Sequence, residues 1–324
     1  MAITLRKSQL VLRPYNMAGP TQKEQQLLSA SKDFHNFIES QKTDSLSSLV
    51  TPEVTLHKDA ITIQADVKGV DDVKQYFQSY FDKYSFKHVA VCGAVDEKAN
   101  VAFSFAVDQK VTPSAGKFDE SFPDWAKAPS DTAGIWLLEF NGQGKITDIW
   151  FLRQLSADEQ FRKYKKTVDY SKLNLDPLKY QQSNLEASAD RAKKIDQNAH
   201  AFSDIWSTGD PSAADSIMAA DVRDLDVLYV SELKGPKAFQ DMITGVFKSW
   251  KQTSSSDTIA VTPGNKAFVH WSAEGKLETG GDKQSNKLFG LNMLVFNEEC
   301  KIAEVIGFRQ PMSSERQQLL KAEA

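Results

Sequence analysis

The feature that most constrains this chain of 324 residues is that it repeats itself. Ile149-Trp-Phe-Leu-Arg153-Gln154-Leu-Ser-Ala-Asp-Glu159 lines up with Val305-Ile-Gly-Phe-Arg309-Gln310-Pro-Met-Ser-Ser-Glu315 at a spacing of 156, and upstream Gly134, Leu138, Phe140, Lys145 and Ile146 pair with Gly290, Leu294, Phe296, Lys301 and Ile302. Farther upstream the spacing becomes 166: Lys68-Gly69 pairs with Lys234-Gly235, Phe81 with Phe247, Phe105 with Trp271 and Lys110 with Lys276. The change locates one insertion of ten residues, between Val111 and Ala133 of the first copy. Each copy is long enough to bury its own core. The chain therefore divides into an N-terminal arm (1–21), a first domain (22–156), a linker (157–185), a second domain (186–312) and a C-terminal helix (313–324).

Periodicity supplies the elements of each copy. Leu27, Leu28, Phe34, Phe37 and Ile38, and again Ala192, Ile195, Ala199, Phe202 and Trp206, recur at the three-and-four spacing of an amphipathic helix. A short helix follows near Asp44 or Pro211, and a longer one opens after Gly69 or Gly235. Strands are expected at Val54–His57, Thr62–Val67 and Val222–Tyr229. Val101, Phe103, Phe105 and Val107 alternate with smaller residues as a half-buried strand does. Each copy ends in a hairpin, turning at Asn141-Gly142-Gln143-Gly144 or at Asn297-Glu298-Glu299-Cys300. The fold class is α+β, with N-terminal helices packed on a curved mixed or antiparallel sheet in each copy.

Composition removes several classes of function. A net charge of −4 leaves no basic field for phosphate backbones, so no nucleic-acid partner is expected. The longest apolar runs, such as Ile135–Leu138, are strand length, so no membrane span is expected. Cys92 and Cys300 fall one in each copy, and the chain lacks Asn-x-Ser/Thr acceptors, which points to a soluble cytoplasmic protein. Residues 1–23 carry Arg6, Lys7, Arg13 and Lys23 with no acidic residue, which leaves a short organelle transit peptide open beside the reading as a basic arm. The five histidines show no ligand spacing, so neither a metal nor another cofactor is expected. Nucleophile-elbow, phosphate-loop and dinucleotide motifs are missing too.

Further features narrow the fold: an aromatic near the end of the first helix (Phe37, Trp206), Pro52-Glu-Val54 or Ala220-Asp-Val222 entering a strand, Gly before a helix (Gly69, Gly235), and the closing hairpin. In these the chain resembles a tandem protein of the nuclear transport factor two-like, or SnoaL-like (polyketide-cyclase-like), family. The resemblance spans both copies and implies two cone-shaped domains. It also implies a small apolar molecule as partner and pairing of the two repeats within one chain, in imitation of the homodimers common in this fold. Functions hosted by the fold diverge widely. An isomerase- or cyclase-type enzyme acting on an apolar carbonyl compound, a non-catalytic ligand or pigment carrier, and a pseudo-dimeric scaffold all stay open at this point.

Enzymes of this kind use a carboxylate or histidine projecting into the cone. In relatives resembling ketosteroid isomerase the base follows the Ala-Asp-Val strand entry, which carries over to Asp226; the first copy offers Lys58 or Asp59 instead. His270, mid-strand, is the candidate polar partner, and His57 is similar. Trp136, Trp125, Trp271 and Phe289 are the candidate ligand-binding residues. Arg153 and Arg309 read as charge-paired strand ends or as contacts between the copies. The inserted segment 111–133, with Phe118, Phe122, Trp125 and Pro129, is expected to form an extended loop over the mouth or edge of the first cone.

Overall fold

The computed structural model describes residues 21–114, 121–181, 185, 187–262, 264–277 and 285–311. The first repeat runs α1 (Gln22–Ser40), α2 (Leu46–Leu49), β1 (Val50–Leu56), β2 (Val67–Lys68), α3 (Val70–Lys83), β3 (Tyr84–Asp96), β4 (Val101–Pro113), α4 (Asp124–Lys127), β5 (Ser130–Phe140) and β6 (Ile146–Arg153). Next come α5 (Ala157–Tyr164) and single turns at Tyr170–Leu173 and Pro177–Gln181. The second repeat runs α6 (Ala189–Thr208), α7 (Ala214–Ile217), β7 (Met218–Asp226), β8 (Ser231–Lys234), α8 (Gly235–Ser249), β9 (Trp250–Val261), β10 (Lys266–Leu277), β11 (Ser285–Phe296) and β12 (Ile302–Arg309). The sheets have the same order, β2-β1-β6-β5-β4-β3 and β8-β7-β12-β11-β10-β9. In each, the first long strand lies parallel to the last and all other pairings are antiparallel. The fold is α+β, with two curled mixed sheets.

Local chemistry explains the elements. Thr21 and Glu24 form a reciprocal capping box at the start of α1, and Leu27, Phe34, Phe37 and Ile38 form its buried stripe. The repeated Arg-Gln signature also has a cause. Gln154 Oε1 accepts the Ala133 amide at 3.0 Å, and Gln310 Oε1 accepts the Phe289 amide at 3.3 Å. Each glutamine thus ties the end of the last strand to its neighbour. At the hairpins Asn141 and Asn297 each accept two amides through the side chain, and Gly144 (φ 77°) and Cys300 (φ 62°) occupy the same left-handed position.

Three apolar clusters hold the chain together. One packs α1 and α3 on the first sheet through Phe34, Phe77 and Trp136, and another packs α6 and α8 on the second through Phe202, Phe239 and Val269. The third draws side chains from the opposite faces of both sheets, with Phe103 stacked on Phe268 at 5.8 Å. Leu173 and Tyr180, between the repeats, are buried in that same cluster.

Two expectations need correction. Thr62–Val67 is not a strand: the Asp59 carboxylate accepts the amides of Ile61, Thr62 and Ile63, so the backbone turns there and only Val67–Lys68 pairs. The segment 111–133, expected as an extended loop over the mouth or edge of the first cone, is in part strand and helix, and its residues 115–120 lie outside the described residues. β4 continues to Pro113 and β5 begins at Ser130, while Phe122 and Trp125 pack on Phe161 of α5 with ring centroids 4.7 and 5.9 Å apart. Phe118 lies outside the described residues, as do residues 1–20 of the expected arm and the expected helix 313–324. Among the described residues no helix is long and apolar enough to cross a membrane.

Candidate functional site

The cone of the first repeat is filled. Trp136 stacks on Phe151 at 3.5 Å and meets Phe34 edge-on at 5.3 Å, leaving a void of about 10 Å³ bordered by Tyr80, Asp108, Trp136 and Arg153. Beside it runs a buried polar chain that the sequence reading missed. Ser104 Oγ lies 2.6 Å from His35 Nε2, His35 Nδ1 lies 2.9 Å from His88 Nε2, and His88 Nδ1 lies 2.6 Å from Asp108 Oδ1. Donation from Ser104 to His35, to His88 and to Asp108 is an assignment that satisfies each group. Burial, and then the neighbouring His88, keep the His35 ring well below its ordinary pKa. Because Ser104 is wholly buried, the chain is a structural network and not an exposed nucleophile. Asp108→Ala orphans the His88 N–H and should cost about 1–3 kcal/mol, read as a lower midpoint in urea. Members separated by 53 and 69 positions gave the sequence no spacing to recognise.

In the second repeat, strand alternation sets the geometry of β7. Leu225 faces the cluster between the sheets, so Asp224 and Asp226 share the other face, with Val222. Asp226 is held in place: Oδ2 lies 3.2 Å from Arg309 Nε, and Oδ1 accepts the Leu228 and Tyr229 amides at 2.9 and 3.2 Å. Asp224 is different. It is half-buried and its carboxylate makes no hydrogen bond among the described residues; burial, then the Asp226 charge, push that carboxyl up to about 7. The parallel register pairs Asp224 with Val305 on β12 and Leu56 with Ile149 on β6, so Leu56, a core residue, takes the place of Asp224 in the first repeat.

His270 does not converge with Asp226. It points to the face between the sheets, with Trp150 at 4.8 Å and Phe289 at 5.9 Å. Its Nε2 is buried without a partner among the described residues, and burial, then nearby His57, push the ring down to about 4. Packing, not strand position, decided this, because a strand histidine can serve either face. The four candidate ligand-binding aromatics also separate. Trp136 lies in the first cone, and Trp125 lies against α5. Trp271 lies over Gly290, where an added Cβ would sit 2.4 Å from its ring, and Phe289 meets Trp150 edge-on at 4.7 Å between the sheets. Arg153 and Arg309 are charge-paired strand ends, with Glu159 and Asp226.

Comparison with known proteins adds to this geometry. No curated protein matches the chain. Among solved structures it is similar to a steroid delta-isomerase from Pseudomonas aeruginosa, at 14% identity and a TM-score of 0.31 over 43% of this chain and 90% of that one. It is also similar to PrhC from Penicillium brasilianum (13%, 0.36, 44% and 89%) and to TsrD from Streptomyces laurentii (14%, 0.32, 40% and 96%). Similarity at this level carries no inference about activity. Residues 199–305 match the family model described as SnoaL-like domain. The matched segment lies within the second repeat, and the chain joins it to a first repeat with the same strand order.

Proposed function

We propose that the protein binds a small apolar carbonyl compound and moves a proton on it at the Asp224 face of the second repeat, an isomerase- or cyclase-type activity. The observation behind this reading is the split between two carboxylates on one strand face. Asp226 is tied to Arg309 and two amides, whereas the Asp224 carboxylate has no hydrogen bond among the described residues and sits near 7. Carboxylates whose environments differ in this way suit an acid/base pair, in which the raised one exchanges protons near neutral pH and the one held by Arg309 fixes the local field. Asp226 becomes the positioning group in this scheme and Asp224 the base. Leu56 at the matching position leaves the first repeat without the base, so the labour divides unequally. Residues 22–156 and 186–312 are the two domains of this reading, joined by the linker 157–185, with the repeats paired in the manner of a homodimer.

The experiment is deuterium incorporation next to the carbonyl of β,γ-unsaturated cyclic ketones in heavy water. Exchange should rise with pH through about 7, as Asp224 ionises. Asp224→Asn should slow it by at least about 10²-fold. Exchange by the unaltered protein no faster than in buffer, or exchange undiminished in the variant, overturns the reading.

A further inference from the structure

A cavity of about 340 Å³ lies where the linker crosses the ends of both sheets. That volume is at the low end of the range usual for small-molecule sites. Its apolar wall comes from both repeats, with Leu152 and Ile61 from the first and Val227 and Phe308 from the second. Tyr164, Thr167 and Tyr170 of the linker complete it. It adjoins the Asp224 face through Arg309, which is paired with Asp226, while Val227 and Phe308 in its wall belong to the cluster between the sheets.

Charge and hydrogen bonding indicate what such a cavity would accept. Arg153 is committed to Glu159, and Arg309 is paired with Asp226. The other charged lining residues, Lys166, Lys172, Asp59 and Asp169, carry two charges of each sign, so the lining favours neither anion nor cation. The Asp59 carboxylate is already spent on the amides of its own turn. The phenols remain as donors. Tyr164 is buried and its hydroxyl makes no hydrogen bond among the described residues, and the Tyr170 hydroxyl accepts the Leu155 amide at 3.2 Å, leaving its own hydrogen to give. We infer that this cavity is a second binding site, for a neutral, compact apolar molecule bearing a carbonyl-type acceptor that the Tyr164 and Tyr170 hydroxyls hold.

The site does not depend on proton transfer at Asp224. It requires both repeats and the linker, which gives the duplication a role beyond doubling the cone. The neutral fluorescent naphthyl ketone prodan is a suitable probe, titrated against the full chain. One prodan per chain should bind with blue-shifted emission. Tyr164→Phe should weaken binding about fivefold, the worth of one hydrogen bond. Thr167→Trp, an exposed rim position, should block binding by filling the mouth, and Asp224→Asn should leave it unchanged. No binding by the unaltered chain, undiminished binding in Tyr164→Phe, or loss only in Asp224→Asn overturns the assignment. So does a naphthyl carboxylate that binds more tightly than prodan. Should Thr167→Trp fail to fold, the isosteric Tyr164→Phe still decides.

Discussion

Glu159→Gln should destabilise the protein by about 3–5 kcal/mol, the cost of leaving a buried charge without its partner. Arg153 and Glu159 are both buried and joined by two parallel bonds of 2.7 Å. The Glu159 carboxylate also accepts the Ser156 amide, which ties the end of β6 to the first turn of α5. Burial alone would raise the Glu159 pKa, but the Arg153 charge, its hydrogen bonds and the Ser156 amide outweigh it and hold the carboxyl at about 2, against an ordinary 4.5. The stabilisation is therefore complete above about 4.5 and is lost as pH falls through 4.5 toward 2. Urea melts between pH 7 and 3 should show the difference between the unaltered protein and Glu159→Gln shrinking on acidification. A constant difference would mean that the pair is not the source of the loss.

Phe268→Ala should cost about 3–5 kcal/mol as well, through lost burial and the cavity left behind. Phe268 is wholly buried and stacks on Phe103 of the other repeat. The same cluster takes in Leu173 and Tyr180 from the linker, so the loss falls on a core that belongs to neither repeat alone. A single cooperative thermal transition, shifted to lower temperature as a whole, is the expected result. Two transitions with only the later unmoved would show instead that the repeats fold as independent units, and would weaken the homodimer-like pairing proposed above.

Duplication, the order of elements and the fold class were legible in the sequence because they rest on local periodicity and on spacing, and both are properties of the chain itself. Hence β6 and β12 fall at the spacing of 156 read from Arg153 and Arg309, and β4 and β10 near that of 166. The turn at Asp59 was missed because its carboxylate competes with strand pairing, which alternation cannot register. Asp226 was named through a family spacing; that Arg309 ties it while the carboxylate of Asp224, two residues before it on the same face, has no hydrogen bond among the described residues is set by packing, which composition does not register.

What the tertiary structure decided was which side chains meet. His270 turned to the face between the sheets, the four candidate aromatics scattered to four places, and His35, His88, Ser104 and Asp108 came together from distant positions. The cavity beside the linker likewise takes its walls from both repeats and the crossing between them. Period and spacing assign a residue to an element and a face because those follow from backbone geometry. Which face meets which neighbour, and so which carboxylate loses its water and which gains a partner, follows only from packing two sheets and a linker around a shared core.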